Sequence, residues 1–297
     1  MKWRIGKIFA QFVCGFIYSQ KLRRKVRWKL DPCSPVNLIN YFRKKYLPLV
    51  SVSLTEGCRR QDGSEYIFQC WLQGVDNAPN LVKNCIETVG KFKGNKKHII
   101  ITMENLSDWI VLPDFILEKY KKGKIGNAHF ADIIRVYLLA KYGGYWIDAT
   151  MLMTAELPKI IDNTEFFMFH SSGKWHWSLI NNCFIHSVAG HPLILAWRDI
   201  MTEYWRRENR ALEYFVSHLL FRTVLLRDDL KAEFDKMPVI LQDDNHKLSY
   251  FLADSLSEEE IICLLKSYFI HKLTYKLNKD VFDNPKSVAY FLSQRKS

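Results

Sequence analysis

The chain has 297 residues, enough for one large domain or two small ones with a sizeable core. Its 43 Lys and Arg against 31 Asp and Glu give a net charge of +12, yet the first 30 residues hold nine of the basic residues and no acidic one, which leaves the rest at +3. So balanced a body argues against nucleic-acid binding, which spreads basic residues over the folded surface, and 48% hydrophobic residues with only 13 Gly and 9 Pro exclude a disordered or fibrous chain.

At the start of the chain, Ile5, Ile8, Phe9, Phe12, Val13, Phe16 and Ile17 follow one another at helical spacing and share a stripe, while Lys7 and Gln11 face elsewhere. The apolar reach is too short and interrupted for a membrane span, which needs about 20 residues. It also runs directly into Gln20-Lys21-Leu22-Arg23-Arg24-Lys25 without the small-residue cleavage site of a signal peptide. Residues 1–30 therefore read as a basic amphipathic segment. It either lies in the plane of an anionic membrane face, each nearby Lys or Arg adding about 1 kcal/mol, or packs on the protein's own core. The seven cysteines (Cys14, Cys33, Cys58, Cys70, Cys85, Cys183 and Cys263) are odd in number and contain no C-x-x-C pair. They suggest neither a zinc site nor a disulfide framework, and so a reducing, cytoplasmic setting on the inner face of the cell membrane.

After a break at Asp31-Pro32-Cys33-Ser34-Pro35, a short helix is predicted over 37–46, and residues 31–65 read as a linker with that helix. Residues 66–297 form the expected main domain, with strands over 66–72 and 98–103 alternating with helices over 80–89 and 114–121. That alternation is α/β order. A longer helix over 127–141 is closed by Gly143-Gly144 and followed at once by a buried strand over 145–148. Further strands are predicted over 166–169 and 182–185, and helices over 192–205 and 210–226.

The helix after Asn127 is apolar through Phe130-Ala131-Asp132-Ile133-Ile134-Arg135-Val136-Tyr137-Leu138-Leu139 except for Asp132 and Arg135, which lie three apart and share a face. Burying two charges needs a reason, since even a pair often only breaks even against hydrophobic replacement. They form either a structural ion pair or part of a site. Asp148 closes the aromatic and β-branched run Tyr142-Gly143-Gly144-Tyr145-Trp146-Ile147 at the carboxyl end of a strand, where open α/β sheets place ligands. There it is either a ligand to a ribose hydroxyl or hard divalent cation, or an ordinary turn residue.

His129-Phe130-Ala131-Asp132-Ile133-Ile134-Arg135 followed by Tyr142-Gly143-Gly144-Tyr145-Trp146-Ile147-Asp148-Ala149-Thr150 resembles the capsular polysaccharide synthesis proteins. These are related to the family 32 glycosyltransferases with a DXD sugar-binding region. The resemblance extends from about Tyr66 to Lys276, and Gln69-Cys70-Trp71-Leu72-Gln73-Gly74 with Ala78-Pro79 is similar to that group's first strand and nucleotide loop. It implies a GT-A (Rossmann-like) fold that binds a nucleotide sugar at the carboxyl edge of its sheet. The sugar passes to a glycan or lipid-linked acceptor hydroxyl with retained configuration.

By the same resemblance Trp71 stacks on the nucleobase with Gln73 beside it, and Asp132 and Arg135 hold the donor sugar, Arg135 also near the diphosphate. Asp148 matches the first aspartate of the DXD motif, with Thr150 in place of the second. A divalent cation, Mn²⁺ or Mg²⁺, is implied, with Asp148, Thr150 and His271 as its candidate ligands, although the missing aspartate puts metal dependence in question. Asn182 is implied as a donor or acceptor contact, and Lys272 or Lys276 as neutralising the leaving diphosphate. The loop with His170, His176 and Trp177 suggests a wall for carbohydrate. Two other readings stay open: a sugar-phosphate transferase using Asp243-Asp244, and a membrane-docked protein that binds nucleotide sugars without turnover.

Overall fold

The computed structural model of the chain describes residues 2–52 and 65–294. Cys58 and most of the second half of the expected linker lie outside them. The strands are β1 (Tyr66–Cys70), β2 (Lys97–Ile101), β3 (Gly144–Ile147), β4 (Met151–Met153), β5 (Phe166–His170), β6 (Ile180–Ser187) and β7 (Ile270–Lys272). Five of them make one sheet in the order β2-β1-β3-β6-β5, and β4 pairs with β7 in a small second sheet. β1 runs parallel to β2 and β3, while β6 runs antiparallel between β3 and β5, so β6 alone points the opposite way in a mixed α/β sheet.

β3 sits at the centre and is buried along its whole length. The chain enters it straight from the helix Asn127–Tyr142, whose last turn is closed by the Gly143 N–H on Leu139 O. Gly143 and Gly144 have φ of +66° and +90°, which side chains rarely adopt. A Cβ on Gly144 would also run into the carbonyl oxygen of Tyr66 on the neighbouring strand. This pair of glycines is what lets a buried helix turn at once into the central strand.

The helix Asn80–Phe92 buries Leu81, Val82, Cys85, Ile86 and Val89, one continuous face, against the sheet side. The helix Pro35–Lys45, inside the expected linker, is capped by Ser34 and puts Leu38, Phe42 and Tyr46 into the main core, where Phe42 and Tyr46 meet Tyr204 edge to face. At the other end, Glu258–Lys266 starts with a Ser257–Glu260 capping box, and Val288–Gln294 packs back against Asn80–Phe92 through Leu292 and Leu81. Asn80–Phe92 lies against β4, which in turn pairs with β7.

One predicted helix is shorter than expected. Of residues 210–226 only Val216–Val224 is helical, because Tyr204 takes up the backbone before it: its hydroxyl donates to Arg210 O and accepts from Leu212 N. The N-terminal residues form two helices, Lys2–Gly15 and Gln20–Leu30. In the first, small residues face the protein: Ala10 and Cys14 are buried and Gly6 abuts Pro32, while Ile5, Ile8, Phe9 and Phe12, with Phe16 just after its end, stay between 58% and 76% exposed. The bulky apolar stripe is therefore not spent on the protein's own core. Among the described residues no helix is long and apolar enough to cross a membrane.

Replacing Gly144 by Ala is expected to cost more than about 2 kcal/mol, through both the positive φ and the collision with Tyr66. The fall should appear as a lower urea midpoint with an unchanged slope; an unaltered midpoint would contradict the close approach of the two strands.

Candidate functional site

A cleft of about 600 Å³ opens at the carboxyl edge of the main sheet. Trp71 and Gln73 enter it from the end of β1, Asp132 and Arg135 from the helix Asn127–Tyr142, and Asp148 and Thr150 from the turn after β3. Asn182 comes from the amino end of β6, which lies at this edge because β6 runs antiparallel, and Lys272 comes from β7. Residues spread over 200 positions of sequence thus meet on one surface.

Asp148 is the hub. Its Oδ1 accepts from Arg135 Nη2 at 3.0 Å and from Trp146 Nε1 at 2.9 Å, and its Oδ2 accepts from Lys272 Nζ at 2.8 Å. The same ammonium donates to Thr150 Oγ1 at 2.7 Å. Arg135, only 4% exposed, lies over the Trp146 ring and pairs at 2.9 Å with Asp132 Oδ1, which also accepts from Asn182 Nδ2 at 3.0 Å. Two carboxylates and two cations form one connected, charge-balanced cluster. Backbone bonds fix it from below: Asp148 N donates to Cys183 O, Met151 N to Asp148 O, and Leu273 N to Thr150 O.

The environments push the two carboxyls apart. Burial works against the charge on Asp148, but Lys272 and Arg135 outweigh it and hold the group below its ordinary value. At Asp132 burial prevails over Arg135 and the carboxyl is raised. Lys272 is raised against its own burial by Asp148. Cys70 and Cys183 also line the cleft, but burial pushes both thiols up to about 12, so neither is a thiolate nucleophile at neutral pH.

His271 does not join the cluster. It alternates with Lys272 along β7, so its side chain turns away, fully buried, with Nε2 on Leu265 O. The strand period thus removes it from the expected metal or phosphate contact. From the predicted carbohydrate loop, Trp175, Ser171 and Ser178 line the cleft, whereas His170, His176 and Trp177 do not; Trp177 packs on Phe215. Asp243 and Asp244 are exposed and outside the cleft, so the carboxylate pair expected of a sugar-phosphate transferase is not at this site.

Several cleft residues lay outside the sequence reading. Trp146 holds Asp148; His218, from the helix Val216–Val224, is buried and held neutral by desolvation, at about 3; and Gln242 and His246 bracket Asn181 Nδ2 at 2.9 and 3.2 Å. His218 shares its helix with Ser217, Arg222 and Thr223, so nothing in the local sequence singles it out.

Residues 21–292 match the family described as capsular polysaccharide synthesis protein. Among solved structures the chain is similar to one named PaToxG Glycosyltransferase, with 14% identity and a TM-score of 0.40 over 71% of this chain and 86% of that one. No curated protein matches it.

The Asp148–Lys272 pair gives stability a definite pH profile. A depressed carboxyl contributes above its unfolded value, near 3.8, and loses that contribution as pH falls through its folded value; a raised lysine contributes below 10.5 and loses it as pH rises through its folded value. The difference in melting temperature between wild type and Asp148→Asn should be widest from about pH 5 to pH 10 and shrink on both sides. A difference independent of pH would contradict the pairing.

Proposed function

The chain belongs to the capsular polysaccharide synthesis protein family, and from that premise we propose that it is a glycosyltransferase of the GT-A type. It moves a sugar from a nucleoside-diphosphate sugar to a hydroxyl of a glycan or lipid-linked glycan, with retained configuration. The observation that carries this reading is the cluster of Asp132, Arg135, Asp148 and Lys272 on the floor of a cleft at the carboxyl edge of the sheet. Cations held by carboxylates suit a diphosphate, and the carboxylates suit sugar hydroxyls.

At one side of the cleft Trp71 meets Tyr275 edge to face and offers a surface for a base. On another, Trp175, Tyr214 and Phe215 offer aromatic faces to the acceptor sugar. In the transfer the bond from the anomeric carbon to the diphosphate oxygen breaks and a bond to the acceptor oxygen forms. The acceptor's proton passes to the departing diphosphate. Positive charge grows on the sugar and negative charge on the leaving group, so Arg135 and Lys272 stabilise the leaving group while Asp132, tethered by Asn182, positions the sugar.

The N-terminal helix supports a place for this reaction. Its small residues face the protein and its bulky apolar residues face out, in a segment of 30 residues that holds nine basic residues and no acidic one, which suits the surface of an anionic membrane where a lipid-linked acceptor is presented. Residues 1–30 act in this reading as a foot for a cytoplasmic enzyme.

Two experiments test the proposal. In a screen of nucleotide sugars by thermal shift, one donor should stabilise the wild type, and Asp132→Ala and Asp148→Ala should each lower transfer from it at least about 100-fold; wild-type-like transfer by both would sink the assignment. With vesicles containing phosphatidylserine the full chain should co-sediment, and Phe12→Asp/Phe16→Asp should release it, while undiminished sedimentation of that variant would remove the helix from membrane docking.

A further inference from the structure

The corner between Asp148 and Thr150 has the outline of a cation site, and it already holds a cation. A hard divalent ion takes about six oxygen ligands and is bound through carboxylates that balance its charge. This corner supplies one carboxylate and one hydroxyl. Asp148 Oδ1 is shared by Arg135 and Trp146, and the two remaining oxygens, Asp148 Oδ2 and Thr150 Oγ1, both accept from Lys272 Nζ, at 2.8 and 2.7 Å. One negative charge is met by one positive charge. A divalent ion entering there would have to evict an ammonium and leave it unpaired beside a second cation. Among the described residues no group of three or more His, Cys, Asp or Glu is arranged to hold a metal ion. The donor set does not fit one.

Lys272 is placed to do more than fill the corner. An ammonium has three donors; two go to Asp148 and Thr150, and the third has no acceptor among the described residues. The side chain lines the cleft and keeps 25% of its surface open. Its position is set by backbone rather than by a ligand, since β7 pairs with β4 with Lys272 opposite Met151 and Leu273 N bonds to Thr150 O.

We propose that Lys272 is a built-in replacement for a divalent cation, so that the nucleoside diphosphate of the donor binds, and departs, against its ammonium without a metal ion. The inference rests on the transferase reading above. Thr150 is then the partner of a lysine: losing a second carboxylate removes one negative charge, and using an ammonium instead of a divalent ion removes one positive charge. The corner stays balanced, and a fixed charge needs no reorganisation when the leaving group develops its own.

The test is calorimetric titration of the full chain with UDP, GDP, CDP and ADP, each in EDTA and again in Mn²⁺ or Mg²⁺. For the nucleotide that binds, the expected affinities with and without metal agree within about twofold, while Lys272→Met weakens binding by about 10-fold to 100-fold in both conditions and Lys272→Arg restores part of it. Mn²⁺ titrated alone, followed by its paramagnetic resonance signal, should stay free in the presence of wild-type protein. Binding strengthened more than about tenfold by metal, or Mn²⁺ bound to wild type and released by Asp148→Asn, overturns the inference and leaves the transferase reading standing. Failure of all four nucleotides under every condition removes both. The wild-type comparisons decide the matter even if a Lys272 variant fails to fold.

Discussion

The carboxylate of Asp148 joins three parts of the chain in one polar contact. It takes a guanidinium from the helix Asn127–Tyr142, an indole N–H from β3 and an ammonium from β7, 124 residues away. Charges this far from water are expensive, and breaking such a pair by removing one partner costs about 3–5 kcal/mol when it is fully buried. Here the side chains of Asp148 and Lys272 keep 23% and 25% of their surface, so solvent screens part of that cost. An apolar cluster of the same volume would stabilise the fold at least as well. Four ionised groups at the floor of a cleft are therefore better explained by a charged ligand than by stability.

The geometry that delivers Asp148 to this place is mostly backbone. Gly143 and Gly144 turn the helix into the central strand without a connecting loop, so Asp132, Arg135 and Asp148, close in sequence, end close in space. The antiparallel β6 brings the beginning of a strand, with Asn181 and Asn182, to an edge otherwise made of strand ends. The pairing of β4 with β7 then closes the far side with Lys272.

Much of this was legible in the sequence. The alternation of strands and helices set out the α/β order, Asp132 and Arg135 stood out as charges in an apolar helix, and the glycine pair marked the turn before β3. What was not legible depended on contacts between distant segments. Nothing local told that Lys272 rather than His271 would face the cleft, because a three-residue strand shows no clear alternation until its partner fixes the register. Trp175 lines the cleft where His176 and Trp177 are expected, because a short 3-10 helix decides which side chains turn inward. The start of the helix at Val216 escaped because Tyr204, from another helix, takes the preceding backbone bonds. The excess charge of +12 is clearer with the fold in view: it accompanies a helix that packs through small residues and leaves its large apolar residues exposed.

The measurement that tests the central claim most directly is mass analysis of the products formed from a nucleotide sugar and a lipid-linked glycan acceptor on anionic vesicles. The expected result is a nucleoside diphosphate together with an acceptor heavier by one sugar residue. Release of a nucleoside monophosphate, with a sugar phosphate on the acceptor, would contradict the account, because the Asp148–Lys272 pair would then be facing a bond that does not break.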